Sequence, residues 1–458
     1  MTSMKEESQG IPDSLAVFWD NIRVGTLHHT TPLSFSYATE WLASGRSPLA
    51  PGLPLGPGKH DGPEIHAFFE NLLPEGEQRR LITMRHHVSS VYGLLAVAGG
   101  DAAGAIVLLS EGQAPQSPQY QKLSWEQVNA LMHADEKNLV MRQAIEDEAR
   151  AYAAPRLSIS GAQVKMLLSL DAEGNPLRPM GATPSTHILK PDIVRTDIHL
   201  FATAANETLI MAAAALCGLP VACVQYQPIV DACLVERYDR VRREDGSLAR
   251  LWQADLCQLL GRNSDGKYEI EGGPSFAECF EMVGRLSSKP AVDQRHLLRW
   301  LFFNLYVGNN DSHAKNLSLI VSNEGLRLAP FYDLMATRVY SGLGPNFAFS
   351  VGGEFEPGKI GPQQLAAMAA QLKISPKYLV AVSQDMAGKV NIAIPEAANS
   401  LLPLLNPSRA MLAERVVYKV RSLVKQTQRR LFNGMDAEDE SGYLPPVVER
   451  KGRNRPRG

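Results

Sequence analysis

Several things are missing from this chain, and each absence removes a class of answer. No stretch of roughly 18 apolar residues occurs, so a membrane span is not expected. No charge sign dominates: 46 Lys and Arg stand against 48 Asp and Glu, leaving a formal charge of −2. Contact with nucleic acid would therefore need a local basic patch. Five cysteines (Cys217, Cys223, Cys233, Cys257, Cys279) form no C-x-x-C pair, and their odd number points to reduced, buried thiols in a cytoplasmic protein. The polar start "MTSMKEESQGIPDS" lacks an apolar signal region. No repeat occurs at solenoid periods. What is present suits a soluble globular protein: 458 residues, 45% hydrophobic and 21% charged, enough for two or three domains with their own cores.

Residues 1–12 read as a disordered leader. In "SLAVFWDNIRVGTL" apolar positions alternate around "DN", which predicts a hairpin. Residues 47–62 are too rich in Pro and Gly to be other than loop. "PEIHAFFENLLPEGEQRRLI" has helical spacing, and "AVAGGDAAGAIVLL" leads into a strand at 104–109, so 13–112 forms an N-terminal subdomain. A linker follows, then a helix with Ser124 and Gln127 placed as a capping box. "RLSISGAQVKMLLSLD", "STHILKPD" and "ACLVERYDRV" carry strand signals around the helix "AANETLIMAAAALCGLPVA", giving a small α/β lobe within 113–240. Helical patterns dominate 241–432, and 433–458, acidic then basic, reads as a disordered tail.

The chemistry concentrates in "VGNNDSHAKNLSLI", where polar residues separate two apolar runs. Asp311 and Asn316 stand at D-x-x-x-x-N, the spacing of a kinase catalytic loop. There a carboxylate takes the proton of an attacking hydroxyl, and an amide oxygen five residues on holds a metal ion on the phosphates. Lys315 could neutralise the transferred phosphoryl group. The bland alternative is a solvated turn, for which Asp and Asn are ordinary residues. Asp333 follows 17 residues later in "LAPFYDLMAT", flanked by Phe331, Tyr332 and Leu334. A carboxylate there is unfavourable unless paired or bound to metal, though it could also cap a following helix. Upstream, Lys190 ends a short strand and Glu207 falls on the first turn of the next helix, matching the lysine–glutamate pair of a kinase small lobe. Singly, they would be a solvated strand end and a first-turn carboxylate favouring the helix dipole. "SISGAQVK", Ser158 to Lys165, is no Walker A motif, because Met166 follows the lysine. It can still offer backbone N–H groups and two hydroxyls to phosphates, or be a plain hairpin turn. In "LVERYDR" the backbone of Glu236, Arg237 and Tyr238 could meet an adenine edge.

Together, "SISGAQVK", "THILKPD", "LVERYDR", "DLCQLLG", "KYEIEGGPSF", "NNDSHAKNLSL" and "PFYDLMA" resemble the HipA family of serine/threonine kinases, toxins of bacterial toxin–antitoxin pairs. The likeness runs through roughly residues 13–430. It implies an α+β, protein-kinase-like two-lobed fold: a small α/β lobe with a β-rich N-terminal subdomain, then a mostly helical C-terminal lobe. It implies ATP and Mg²⁺ as cofactors, with Asp311 as the catalytic base and Lys315 beside it. Asn316 and Asp333 become metal ligands. Ser158, Ser160, Gly161, Ala162, Gln163, Lys165, Lys190, Glu207, Glu236, Tyr238, His313, Asn316 and Tyr332 become nucleotide contacts, with His313 expected to orient the loop. Relatives phosphorylate a serine of their own phosphate loop, which here implies Ser158, Ser160 or both; added negative charge would repel ATP. The implied substrate is an aminoacyl-tRNA synthetase, glutamate-specific in the first instance. The implied partner is a HipB-like helix-turn-helix antitoxin, reaching operator DNA through that complex.

"ERVVYKVRSLVKQTQRR" carries six basic residues against one acidic, fitting a DNA- or partner-facing helix or simply a solvated face. Two other functions stay open: a catalytically weak kinase-fold co-repressor, and a small-molecule phosphotransferase. A metal hydrolase built on Asp311 and His313 lacks a further ligand at suitable spacing.

Overall fold

The structure, a computed structural model, describes residues 11–133, 141 and 165–432, and every structural statement below concerns those residues. The leader's first ten residues, the loop from Ser158 through Gln163 and the 433–458 tail lie outside them.

The predicted hairpin forms: β1 (Ser14–Trp19) and β2 (Ile22–His28) pair across Asp20-Asn21, with Asp20 at a positive φ of 54°. With β3 (Ser34–Tyr37) and β4 (Ile106–Ser110) they make an antiparallel sheet ordered β3-β2-β1-β4. The apolar faces of these strands pack under helices 63–70, 76–86 and 91–98. The long helical segment expected over 63–82 is in fact two helices. Pro74 cannot donate to a continuing helix, so the chain breaks there and sets Asn71 and Glu75 on a turn between the two helices.

The small lobe holds a six-stranded sheet ordered β5-β7-β6-β8-β10-β9. Its strands are β5 (Tyr120–Lys122), β6 (Met166–Leu170), β7 (Pro176–Pro179), β8 (His187–Pro191), β9 (Val224–Gln227) and β10 (Ala232–Glu236). β5 lies in what reads as linker, and β7 is bounded by prolines, which hides it from a strand pattern. Ser124 and Gln127 do form the capping box of helix 125–132, worth about 1 kcal/mol. Helix Thr203–Leu216 is buried on most sides, and its alanines let it pack against helices 376–401 and 407–432 of the large lobe. One core therefore runs from Leu15 to Leu431.

The large lobe is mostly helical, as expected, but carries a three-stranded antiparallel sheet, β13-β14-β15 (Gln253–Asp255, Ser318–Ser322, Gly325–Leu328). Preceding it, β11 (Arg240–Arg242) and β12 (Leu248–Arg250) form a hairpin. A tryptophan stack joins the first sheet to β13: Trp19 lies 5.5 Å from Trp41 and 6.1 Å from Trp252, whose indole donates to Leu49 O at 3.0 Å. That contact packs the N-terminal subdomain against the chain entering β13.

Candidate active site

Helix Pro290–Val307 ends at Gly308, which adopts φ 73°, the left-handed cap that glycine tolerates best. A Cβ there would lie 2.7 Å from Leu423 Cδ1, so only glycine lets the chain turn this close to the 407–432 helix. The polar loop that follows is held by a series of hydrogen bonds. Asn309 Nδ2 donates to Asn304 Oδ1 at 2.8 Å, and its own Oδ1 accepts from Asp311 N at 3.2 Å. Asn310 N donates to Thr337 Oγ1 at 2.7 Å and its side chain to Gly344 O at 2.9 Å. Most of these polar residues thus hold the loop in shape, leaving few for chemistry.

Asp311 is one of those few. Its side chain lines the cleft and is 55% accessible. Desolvation by the cleft walls raises its pKa to about 6, against the pull of Tyr268 and Lys267. Asn316 Nδ2 donates to Asp311 O at 2.9 Å, which commits the amide nitrogen and leaves Oδ1 as the group available to a cation. His313 is buried, and desolvation lowers its pKa to about 3, so the ring is neutral. Its Nε2 stands 3.8 Å from Asp311 Oδ1, too far for a hydrogen bond, and its buried Nδ1 has no partner among the described residues.

The second constellation closes as expected. Lys190 on β8 donates to Glu207 Oε1 at 2.5 Å and to Asp333 Oδ1 at 2.9 Å. Lys190 and Glu207 side chains are each 5% accessible, and Asp333 is 39% accessible. Burial alone would discharge Lys190, but the two carboxylates raise its pKa and keep it cationic. Burial works to raise Asp333, yet Lys190 and Lys165 hold its carboxyl well below the usual range. Burial, with Asp333's charge adding to it, pushes Glu207 upward against Lys190. Glu207 does not sit on the first helical turn: its helix begins at Thr203, so the carboxylate points to Lys190 from the second turn, away from the helix end. Asp333 caps no helix either; it occupies φ 61°, a left-handed conformation costing roughly 1 kcal/mol or more for a non-glycine residue.

Lys315 departs from expectation. Its ammonium donates to Asn71 O at 2.9 Å, Asn71 Oδ1 at 2.8 Å and Asp255 Oδ2 at 3.0 Å, with Glu75 3.8 Å away. Three donors with three acceptors leave none for a phosphoryl group. Instead Lys315 fastens its loop to the turn of the N-terminal subdomain. Lys267, bonded to Glu75 Oε2 at 2.6 Å, is the cation that bears on Asp311.

Glu236, Tyr238 and Tyr332 line the same cleft. The Glu236 and Arg237 N–H groups already donate to Cys223 O and Thr186 O, both at 2.9 Å, so an adenine edge cannot use either donor. Tyr332 OH donates to Lys315 O at 2.7 Å and stands 3.0 Å from Ser318 Oγ. Arg237 turns its side chain away, into a buried cluster with Asp101 (3.3 Å), Asp239 (2.8 Å) and Ser185 (2.9 Å). Arg240 joins at 2.8 Å from Asp101 and 3.0 Å from Asp239. This cluster anchors the hinge to the N-terminal subdomain.

The cleft gathers Lys165, Lys190, Asp311, Asn316 and Asp333, with Ile188, Ala222 and Val235 on its apolar wall. Glu207 lies behind Lys190. A second cavity, lined by residues such as Gln113, Gln119 and Thr183, holds no ionisable side chain. Sequence reasoning passed over Asn71, Glu75, Asp255, Lys267 and Tyr268. The signal available was "NLLPEGE", a buried turn bearing an amide and carboxylates, and "KYEIEGG", noticed without roles assigned.

The chain matches the models of a HipA-like C-terminal domain over residues 157–394 and a HipA N-terminal domain over 15–109. It is 30% identical to the serine/threonine-protein kinase toxin HipA of Shewanella oneidensis, covering 85% of this chain and 89% of that protein. It is 37% identical to Y4mE of Sinorhizobium fredii, named as a kinase, over 74% of this chain and 80% of that one. Among solved structures it resembles HipA of Shewanella oneidensis bound to HipB and operator DNA, with TM-score 0.75 and 26% identity, covering 90% and 97% of the two chains.

Proposed function

The chain belongs to the HipA family and is a HipA-type serine/threonine kinase toxin, and from that premise we propose that it transfers the γ-phosphoryl group of ATP, with Mg²⁺, to an aminoacyl-tRNA synthetase. One observation carries the kinase chemistry: Lys190 bridges Glu207 and Asp333 in the cleft that also holds Asp311 and Asn316.

The residues fit the cofactors. Asn316 Oδ1 and the second carboxylate oxygen of ionised Asp333 are hard donors, suited to an Mg²⁺ held mainly by phosphates and water. When bound, the ion supplies charge neutralisation on the phosphates. Lys190 and Lys165 face the same phosphates, and the Ile188–Ala222–Val235 wall takes the base. With two sheet-bound hinge donors excluded, the Glu236 carbonyl and the Tyr238 N–H are the groups for the adenine edge. His313, neutral with a buried unpartnered nitrogen, is assigned a nucleotide contact. Asp311 receives the proton of the attacking hydroxyl. Lys315 is a positioning residue.

The finer reading follows the family. The synthetase for glutamate is the first candidate. Self-phosphorylation at Ser158 or Ser160, in the stretch outside the described residues, switches off ATP binding. A HipB-like helix-turn-helix antitoxin restrains the enzyme in the cytoplasm and carries it to operator DNA; no helix among the described residues is long and apolar enough to cross a membrane. On the basic helix, Arg415 and Arg430 bond to Val339 O and Pro357 O of their own fold, and the exposed Arg421 and Arg429 are the groups for a partner or DNA.

Labelled ATP and Mg²⁺ with bacterial lysate test this reading. The expected result is label on a synthetase, slowed tRNA charging, and phosphate on Ser158 or Ser160 by mass spectrometry. Label only on small molecules would favour a small-molecule phosphotransferase. No ATP turnover, with DNA binding intact beside the antitoxin, would favour a co-repressor.

A further inference from the structure

One side chain touching the base has no part in the chemistry above. Tyr268 donates its hydroxyl hydrogen bond to Asp311 Oδ1. Its ring meets His313 edge-on, centroids 5.1 Å apart at 86°, and the Lys267 ammonium lies 5.6 Å from its centroid. The loop that carries it is pinned at both ends. Glu70 accepts from Ser264 N at 2.9 Å and Ser264 Oγ at 2.7 Å, and Glu75 holds Lys267 at 2.6 Å. Beyond Tyr268, Glu269 accepts from Ser350 N at 2.9 Å and Ser350 Oγ at 2.6 Å. Tyr268 is therefore built into its place.

An O–H donated to the Asp311 carboxylate is the bond that an attacking serine or threonine hydroxyl must make. Water would make the same bond. In hydrolysis the water oxygen would bond to the γ-phosphorus, the bond to ADP would break, and the water proton would pass to Asp311. Burial, with the Asp311 and Glu75 charges, pushes the phenol pKa well up, so Tyr268 remains a donor at neutral pH.

We propose that Tyr268 occupies the acceptor position of Asp311 until a protein hydroxyl displaces it, so that it selects against water as the acceptor. This rests on the kinase reading of the same site. It makes Tyr268 a specificity-determining residue, one that no motif spacing reveals.

Y268F removes the hydroxyl and keeps the ring between His313 and Lys267. With ATP and Mg²⁺ and no added protein, release of inorganic phosphate should rise about tenfold, the equivalent of one hydrogen bond to a charged group in a partly open site. The ratio of phosphate released to self-labelling should rise with it. Y268L, lacking both hydroxyl and ring, should also raise phosphate release. Wild-type phosphate release from a Y268F protein that melts like the wild type would overturn the proposal. So would slower self-labelling without added hydrolysis, since Tyr268 would then orient Asp311 rather than cover it. If neither wild type nor Y268F turns over ATP, the kinase reading itself fails and this inference with it, an outcome distinct from the other two.

Discussion

Lys315→Met separates the two roles this lysine has been given. If Lys315 neutralised a transferred phosphoryl group, the substitution would slow catalysis and leave the fold alone. The structure assigns it instead to three bonds, with Asn71 O, Asn71 Oδ1 and Asp255 Oδ2, in a setting where its side chain is only 4% accessible. Removing one partner of a buried ion pair costs about 3–5 kcal/mol, because the remaining charge is left unpaired. Asp255 can relieve part of that by protonating, since burial already lifts its pKa. A double variant, Lys315→Met with Asp255→Asn, should therefore be less destabilised than the single one, with a coupling of about 0.5–3 kcal/mol. The assay is urea unfolding, read beside ATP turnover and proteolysis at the 71–75 turn. The single variant should unfold at markedly lower urea and be cut faster at that turn. A Lys315→Met protein with wild-type stability and intact turn, but lost turnover, would refute the clamp and restore the phosphoryl role.

Gly308→Ala forces a Cβ into a left-handed residue facing Leu423, so stability should drop by about 1–2 kcal/mol and turnover with it; unchanged turnover would show that the loop does not depend on this turn. Glu207→Gln weakens the hold on Lys190 by the worth of a charge-assisted hydrogen bond, so kcat/KM for ATP should fall about 10- to 100-fold, and a normal value would remove the pair from the account. Burial acts to raise Asp101 and Asp239, but their arginine neighbours hold both below the ordinary carboxylate value of 3.8. A depressed folded pKa contributes stability that is present above about pH 4 and lost as pH falls through the folded values; Asp239→Asn should flatten the dependence of the urea midpoint on pH below about 4, and an unaltered slope would contradict it.

Local chemistry was legible where it follows spacing. The β1–β2 hairpin and the Ser124 cap follow from short-range pattern, and Lys190, Glu207, Asp311, Asn316 and Asp333 stand in the chain order of a kinase. What was not legible depends on pieces distant in sequence. Asn71 meets Lys315 across 244 positions, and Asp101 meets Arg237 across 136, so neither alphabet nor period links them. Lys315 was misread for the same reason: beside Asn316 it looks like part of a phosphate site, and only tertiary contacts show its donors engaged. The strands β5 and β7 escaped notice because they are short and β7 is framed by prolines. Tyr268 sits in a polar loop without regular pattern, where only the folded loop brings it to Asp311.

In the proposed reaction Asp311 serves phosphoryl transfer in this cleft. The most direct test of that role is the rate of label transfer from ATP to protein by wild type and Asp311→Asn, with nucleotide binding measured on both. A positioned base contributes about 10²- to 10⁴-fold, so the variant should bind ATP normally and transfer slower by that factor. Transfer by Asp311→Asn at the wild-type rate would contradict the account.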